Sequence, residues 1–150
     1  MLKIDGRTID YEESGEGPTV LFVPGSFSTP MAWRSIQKRL PQKYRFVSTS
    51  LCGYGETEET RSLGDLGMEH QIRVIEAVAK QTGGPVHLVG HSFGGQNVRL
   101  FTSHHPDKVA GMVLVDSSHE EWAKIKLQAP WRSRLIEDAD QLIFGLYPIL

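Results

Sequence analysis

A serine with glycines two positions away on either side, Gly90-His91-Ser92-Phe93-Gly94, is the stretch of this chain best suited to covalent chemistry. It follows the apolar run Val86-His87-Leu88-Val89 and precedes a helix-like segment, so the spacing predicts a strand that turns sharply into a helix with Ser92 at the apex. A side chain at Gly90 or Gly94 would collide with such a turn, and Gly95 lets the helix start pack closely on the sheet. The N–H groups of the helix start then face an oxyanion formed beside Ser92. Ser92 is therefore the candidate nucleophile, and acyl transfer the candidate chemistry.

A serine nucleophile needs a base and an acid that orients it, and in turns of this kind both follow the serine in the chain. The histidines are His70, His87, His91, His104, His105 and His119, so the base is one of these, comes from a partner chain, or is missing. His91 lies inside the turn, and its side chain is expected to leave in a different direction from Ser92 and to pack. His104 and His105 end a helix, where an imidazolium suits the dipole. His87 alternates within a strand and reads as a partly buried core residue. Glu56, Glu58 and Glu59 read as a solvated loop face. No His or carboxylate group has metal-ligand spacing and no Gly-rich phosphate loop follows a strand, so neither a metal nor a cofactor is expected.

These residues must be held by a scaffold of alternating elements. Leu2–Ile4 and Thr8–Glu12 flank Asp5-Gly6 and predict an antiparallel hairpin. Thr19–Val23 is a continuous apolar run of the kind buried on both faces, ended by Pro24-Gly25-Ser26. Met31–Leu40 carries Trp33, Ile36 and Leu40 at helical spacing, and Arg45–Thr49 makes the next strand, followed by an exposed polar loop through Gly64. Leu66–Gln81 places Ile72, Ile75, Val78 and Ala79 on one side and stops at Gly83-Gly84-Pro85. Strand 86–90, helix 94–104 and strand Val109–Val115 complete an α/β pattern: a mostly parallel sheet with an N-terminal antiparallel hairpin and helices on both faces. Beyond Asp116 apolar residues recur at helical spacing between Pro130 and Pro148.

At 150 residues the chain suits one domain with a real core. Sixteen Lys and Arg against eighteen Asp and Glu give a net charge of −2 without a basic face, which argues against nucleic acid as a partner. The single cysteine, Cys52, excludes an internal disulfide. The first residues lack a secretory signal, and no run reaches the roughly 18 apolar residues of a membrane span, so a soluble, cytoplasmic protein is expected.

Together these segments resemble the α/β-hydrolase fold superfamily, in particular its lid-bearing serine esterase and lipase-like branch. The likeness runs from Lys3 to about His119. It rests on Val20-Leu21-Phe22-Val23-Pro24-Gly25-Ser26, on Trp33, on Ser50-Leu51-Cys52-Gly53-Tyr54-Gly55-Glu56-Thr57, and most specifically on Leu88-Val89-Gly90-His91-Ser92-Phe93-Gly94-Gly95. The resemblance implies oxyanion amides at Ser26 and Phe93, the loss of one such donor typically costing about 2.7–4 kcal/mol of barrier. An uncharged, apolar acyl substrate would suit Phe27, Phe93 and the segment 122–150 if that segment covers the pocket, so a small-molecule ester is the expected partner.

Three positions depart from the family: Pro24 stands where a histidine is usual, and Ser50 and Cys52 stand where an aspartate and an arginine tie loops together. The usual acid and histidine, which come after a lid and two further strands, have no counterpart, so residues 1–118 read as the N-terminal part of a truncated hydrolase core and 119–150 as the start of a lid-like helical segment. Within the chain, Asp116 ends the strand next to that of Ser92, about 4.8 Å away, and is the acid candidate. His119 is the base candidate, on the side from which the family's histidine arrives. The alternatives stay open: Asp116 as a turn or helix cap, His119 as a surface histidine. Strand 109–115 would be an open edge, expected to be covered either by a homodimer or by residues 120–150.

Overall fold

Strand β4 (Thr19–Val23) lies in the middle of the sheet, and its apolar run serves two separate cores. Leu21 and Val23 point to one face, Phe22 to the other, as the two-residue period of a strand requires. The computed structural model describes residues 1–4, 6–58 and 68–118. Around β4 the sheet has the order β3-β5-β4-β6-β7, where β3 is Tyr11–Ser14, β5 Arg45–Thr49, β6 Val86–His91 and β7 Val109–Val115. The last four are parallel, and β3 runs antiparallel to β5 at one edge. A separate two-stranded ribbon joins β1 (Leu2–Ile4) to β2 (Arg7–Ile9).

On the Leu21 face, helices α2 (Met68–Thr82) and α3 (Phe93–His104) bury Ile72, Ile75, Val78, Val98 and Phe101 against Leu21, Val47 and Leu88. Each side chain of this size contributes about 1.5–3 kcal/mol on burial. On the other face a 3-10 turn (Pro30–Trp33) and the short α1 (Arg34–Gln37) bring Trp33 onto Phe22, with ring centres 5.1 Å apart. The mostly parallel sheet, antiparallel start and helices on both faces are as the sequence predicts. The expected one-sided row in α2 is buried at all four positions.

Three local expectations are corrected. The run Thr8–Glu12 is two strands rather than one, because at Asp10 the chain leaves β1 and begins pairing with β5. The helix expected over Met31–Leu40 is a 3-10 turn and a single α turn. Of its apolar row Trp33 is core and Leu40 half-buried, whereas Ile36 is exposed, so little tertiary packing supports a longer helix. The loop after β5, expected to be exposed, buries Ser50, Leu51, Cys52 and Thr57. Gln71 of α2 clamps it, accepting from the Cys52 amide at 2.7 Å and donating to the Cys52 carbonyl at 3.4 Å. Among the described residues no helix is long and apolar enough to cross a membrane. The segment 119–150, with its lid-like reading and His119, lies outside the described residues.

Candidate active site

Ser92 is the residue between β6 and α3, and its backbone stands at φ 51, ψ −123. A positive φ of this kind costs a residue other than glycine about 1–3 kcal/mol and persists only where its surroundings hold it. Here the surroundings are visible. The Ser92 amide donates to the Val115 carbonyl at 3.1 Å, and the Ser118 amide donates to the Ser92 carbonyl at 3.0 Å. The turn is tight enough to exclude side chains: a Cβ on Gly90 would stand 2.6 Å from Gly95 Cα, and one on Gly94 would run into the carbonyls of Pro24 and Val23. Val23 ends β4 and Pro24 follows it, so the helix start is pressed onto the end of the neighbouring strand.

The same pressing brings the loop after β4 to Ser92. At Gly25 a Cβ would lie 3.1 Å from both Ser92 Cβ and His91 Nδ1. Ser26 follows, and its amide has no hydrogen-bond partner among the described residues. The amide of Phe93 belongs to the first residue of α3, directly after Ser92, while the Phe93 ring is buried in the core beneath the turn. Phe27 takes a left-handed backbone, φ 59, is 67% exposed and meets Tyr54 edge-to-face at 5.5 Å.

A cavity of about 480 Å³ opens above Ser92, lined among others by Ser26, Phe27, Trp33, Ile36, His91 and Val115. Among the described residues that line it, none carries a carboxylate, lysine or arginine side chain. Trp33 is buried, and its indole N–H has no partner among the described residues. His91, expected to pack away from Ser92, meets the edge of Trp33 at 6.4 Å, but it is exposed and lines the same cavity.

The structure thus gathers Ser92, Ser26, Phe27 and the Phe93 amide at one place. Asp116 directly follows Val115, at φ 43; its side chain is exposed and makes no hydrogen bond or ion pair with a described residue. His87 is half-buried in β6, and His104 and His105 stand at the far end of α3, where His105 faces Glu76 at 4.0 Å. Sequence reasoning did not single out Asp10, whose carboxylate accepts from Ser50 Oγ at 2.7 Å. The one available signal was Ser50 itself, a neutral residue where the resemblance places an acid.

Residues 18–134 match the profile of the alpha/beta hydrolase fold. The chain belongs to that family. Among curated proteins it is 31% identical over 104 residues to monoacylglycerol lipase ABHD6 of Homo sapiens, covering 67% of this chain and 31% of that protein. It is 25% identical over 123 residues to the uncharacterized hydrolase YcgS of Bacillus subtilis, covering 81% and 42%. Among solved structures, epoxide hydrolase VrEH1 from Vigna radiata superposes with a TM-score of 0.68 at 30% identity, over 75% of this chain and 38% of that one. The chain spans less than half the length of these curated relatives.

Proposed function

We propose that this chain carries the nucleophile of a serine hydrolase that cleaves a carboxylic ester. The observation that supports it most is the strained Ser92 at the head of α3, opening into a cavity whose described lining carries no carboxylate, lysine or arginine, beside a Ser26 amide without a partner among the described residues. In this reading Ser92 Oγ attacks the acyl carbonyl and gives its proton to a base, while the Ser26 and Phe93 amides hold the oxyanion. The same proton passes to the departing alcohol. Water, deprotonated by the base, then attacks the acyl-enzyme, releasing the acid and returning the hydrogen to Ser92 Oγ. His119 with Asp116 is the base and acid pair this chain itself offers.

The cavity suits a small, uncharged, apolar acyl group, against Phe27, Trp33 and Ile36. One relative is named a monoacylglycerol lipase, which agrees with ester cleavage. The single cysteine, buried at Cys52, agrees with a reducing, cytoplasmic setting. The test is mass spectrometry after a fluorophosphonate probe, with p-nitrophenyl acetate turnover beside it. An adduct on Ser92 that is lost in His119→Ala supports both the nucleophile and the internal base; labelling unchanged in that variant removes His119 from the reading.

A second reading is favoured by one observation: among the described residues no histidine is hydrogen-bonded to Ser92. It makes the chain a non-catalytic hydrolase-fold module that binds a ligand in the same cavity or serves assembly. An unlabelled Ser92 with no ester turnover selects it.

A further inference from the structure

Asp10 stands in the break between β2 and β3, and each of its polar groups reaches the segment 49–57. Its amide donates to Thr57 Oγ1 at 3.0 Å and its carbonyl accepts from Thr49 Oγ1 at 2.8 Å. Its carboxylate Oδ2 accepts from Ser50 Oγ at 2.7 Å and, more weakly, from the Glu56 amide at 3.5 Å. Thr57 Oγ1 in turn donates to the Ser50 carbonyl at 3.2 Å. Thr49, Ser50 and Thr57 are buried, so water competes little for these bonds, and a hydroxyl bonded to a carboxylate is among the stronger kinds.

The far side of this network touches the site. Gly55 has φ 57, and a Cβ there would collide with Asp10 Oδ2, stand 2.6 Å from Ser50 Oγ and come within 3.3 Å of Thr29 Cγ2. Thr29 belongs to the loop that carries Ser26. Tyr54, the residue before Gly55, holds its ring against Phe27, and Phe27 keeps a left-handed backbone directly after Ser26. A phenylalanine in that conformation needs external support, and the Tyr54 ring is its aromatic neighbour. Asp10 itself does not line the cavity.

We propose that Asp10 is a positioning residue for the Ser26–Thr29 loop: it supplies, from the start of β3, the carboxylate that position 50 lacks. Through Ser50, Gly55 and Tyr54 it keeps Phe27 left-handed and the Ser26 amide beside Ser92. Its consequence for catalysis rests on the serine-hydrolase reading; its consequence for the loop does not.

Solution NMR reads the loop directly. In the wild-type chain, ring contacts between Phe27 and Tyr54 give nuclear Overhauser effects. Asp10→Ala is expected to abolish them while those between Leu21 and Leu88, paired across β4 and β6, persist. The exchange Asp10→Ser with Ser50→Asp, which moves the carboxylate across the same contact, is expected to restore them. Phe27–Tyr54 effects that survive Asp10→Ala, that vanish only together with the Leu21–Leu88 pair, or that the exchange leaves absent overturn the proposal. Should the alanine variant not fold, the isosteric Asp10→Asn carries the test, with weakened ring contacts expected and unchanged ones overturning it.

Fluorophosphonate labelling and ester turnover are measured on the same variants. Asp10→Ala is expected to label about tenfold more slowly, with kcat lowered because the Ser26 amide leaves the oxyanion and KM raised because Phe27, part of the cavity wall, moves with it. A wild-type chain that never labels defeats the hydrolase reading, and the ring contacts still decide the role of Asp10. A wild-type chain that labels, with an Asp10→Ala variant equal to it, defeats the positioning role and leaves the hydrolase reading standing.

Discussion

The Ser92 amide donates to the carbonyl of Val115 at 3.1 Å, so the turn above β6 is held by the end of the strand beside it. With the Ser118 amide returning to the Ser92 carbonyl at 3.0 Å, two bonds, one to the last residue of β7 and one from the stretch just after it, fix a backbone conformation that an isolated serine avoids. The half-buried position of the side chain at the cavity is therefore a tertiary property, held in place by the end of β7 and the residues after it.

Ser92→Gly is expected to raise stability by about 1 kcal/mol, because glycine tolerates φ 51 without a Cβ penalty, while abolishing probe labelling. Urea unfolding monitored by tryptophan fluorescence checks it. A less stable glycine variant would show that Ser92 carries no strain.

Gly94→Ala is expected to cost about 1–3 kcal/mol, since its Cβ would meet the Val23 carbonyl at 2.6 Å and the Pro24 carbonyl more closely still, and both belong to rigid backbone. The control is Gly84→Ala, where nothing lies within 4 Å and φ is not positive, expected to stay within about 0.5 kcal/mol of wild type. Equal melting temperatures for the two variants would contradict the tight contact between α3 and the end of β4.

The β3 edge should titrate at both ends of the pH scale. Glu13 is held below its ordinary value of 4.5 chiefly by its hydrogen bond from Arg45, and Glu12 likewise by Arg34. Their stabilisation is present above that value and lost as pH falls through the lowered one; both groups are largely exposed, so the loss is small. Tyr11, which donates to Glu13, is pushed up to about 12, first by burial and then by that bond. The neutral phenol's contribution is complete below 10.0 and disappears as pH rises through about 12. Ultraviolet titration of the phenolates follows it, and Glu13→Gln is expected to bring the Tyr11 midpoint down. An unmoved midpoint would exclude the Glu13 contact.

Among the described residues β7 pairs only with β6, and Met112, Val113, Leu114 and Val115 are exposed, Val113 at 56%. Apolar side chains on an open edge favour further pairing. We expect this strand to be covered, by a second copy of the chain or by residues 120–150. Light scattering after size exclusion gives the copy number, and amide exchange of 109–115 gives the protection. A monomer whose β7 amides exchange freely defeats both forms of cover.

The sequence by itself determined β4 to β7, α2, α3 and the turn at Ser92. Each is written in contiguous residues: apolar runs with strand or helix periodicity, and glycines at the positions where a turn leaves no space for Cβ. Ser26 is pointed to only by the resemblance and Phe27 only as an apolar side chain suited to a substrate; that both line the cavity beside Ser92 is a property of the folded loop. Tertiary structure alone decided the rest. That Met31–Leu40 makes only short turns follows from how little of the sheet meets Ile36, and that the loop after β5 is buried follows from Gln71 in a distant helix. Asp10 meets Ser50 forty residues further on. A local pattern reports backbone preference and which face is apolar, whereas the partner of a single carboxylate is set by which strands pair and in what register, and that is settled only when the whole sheet has formed.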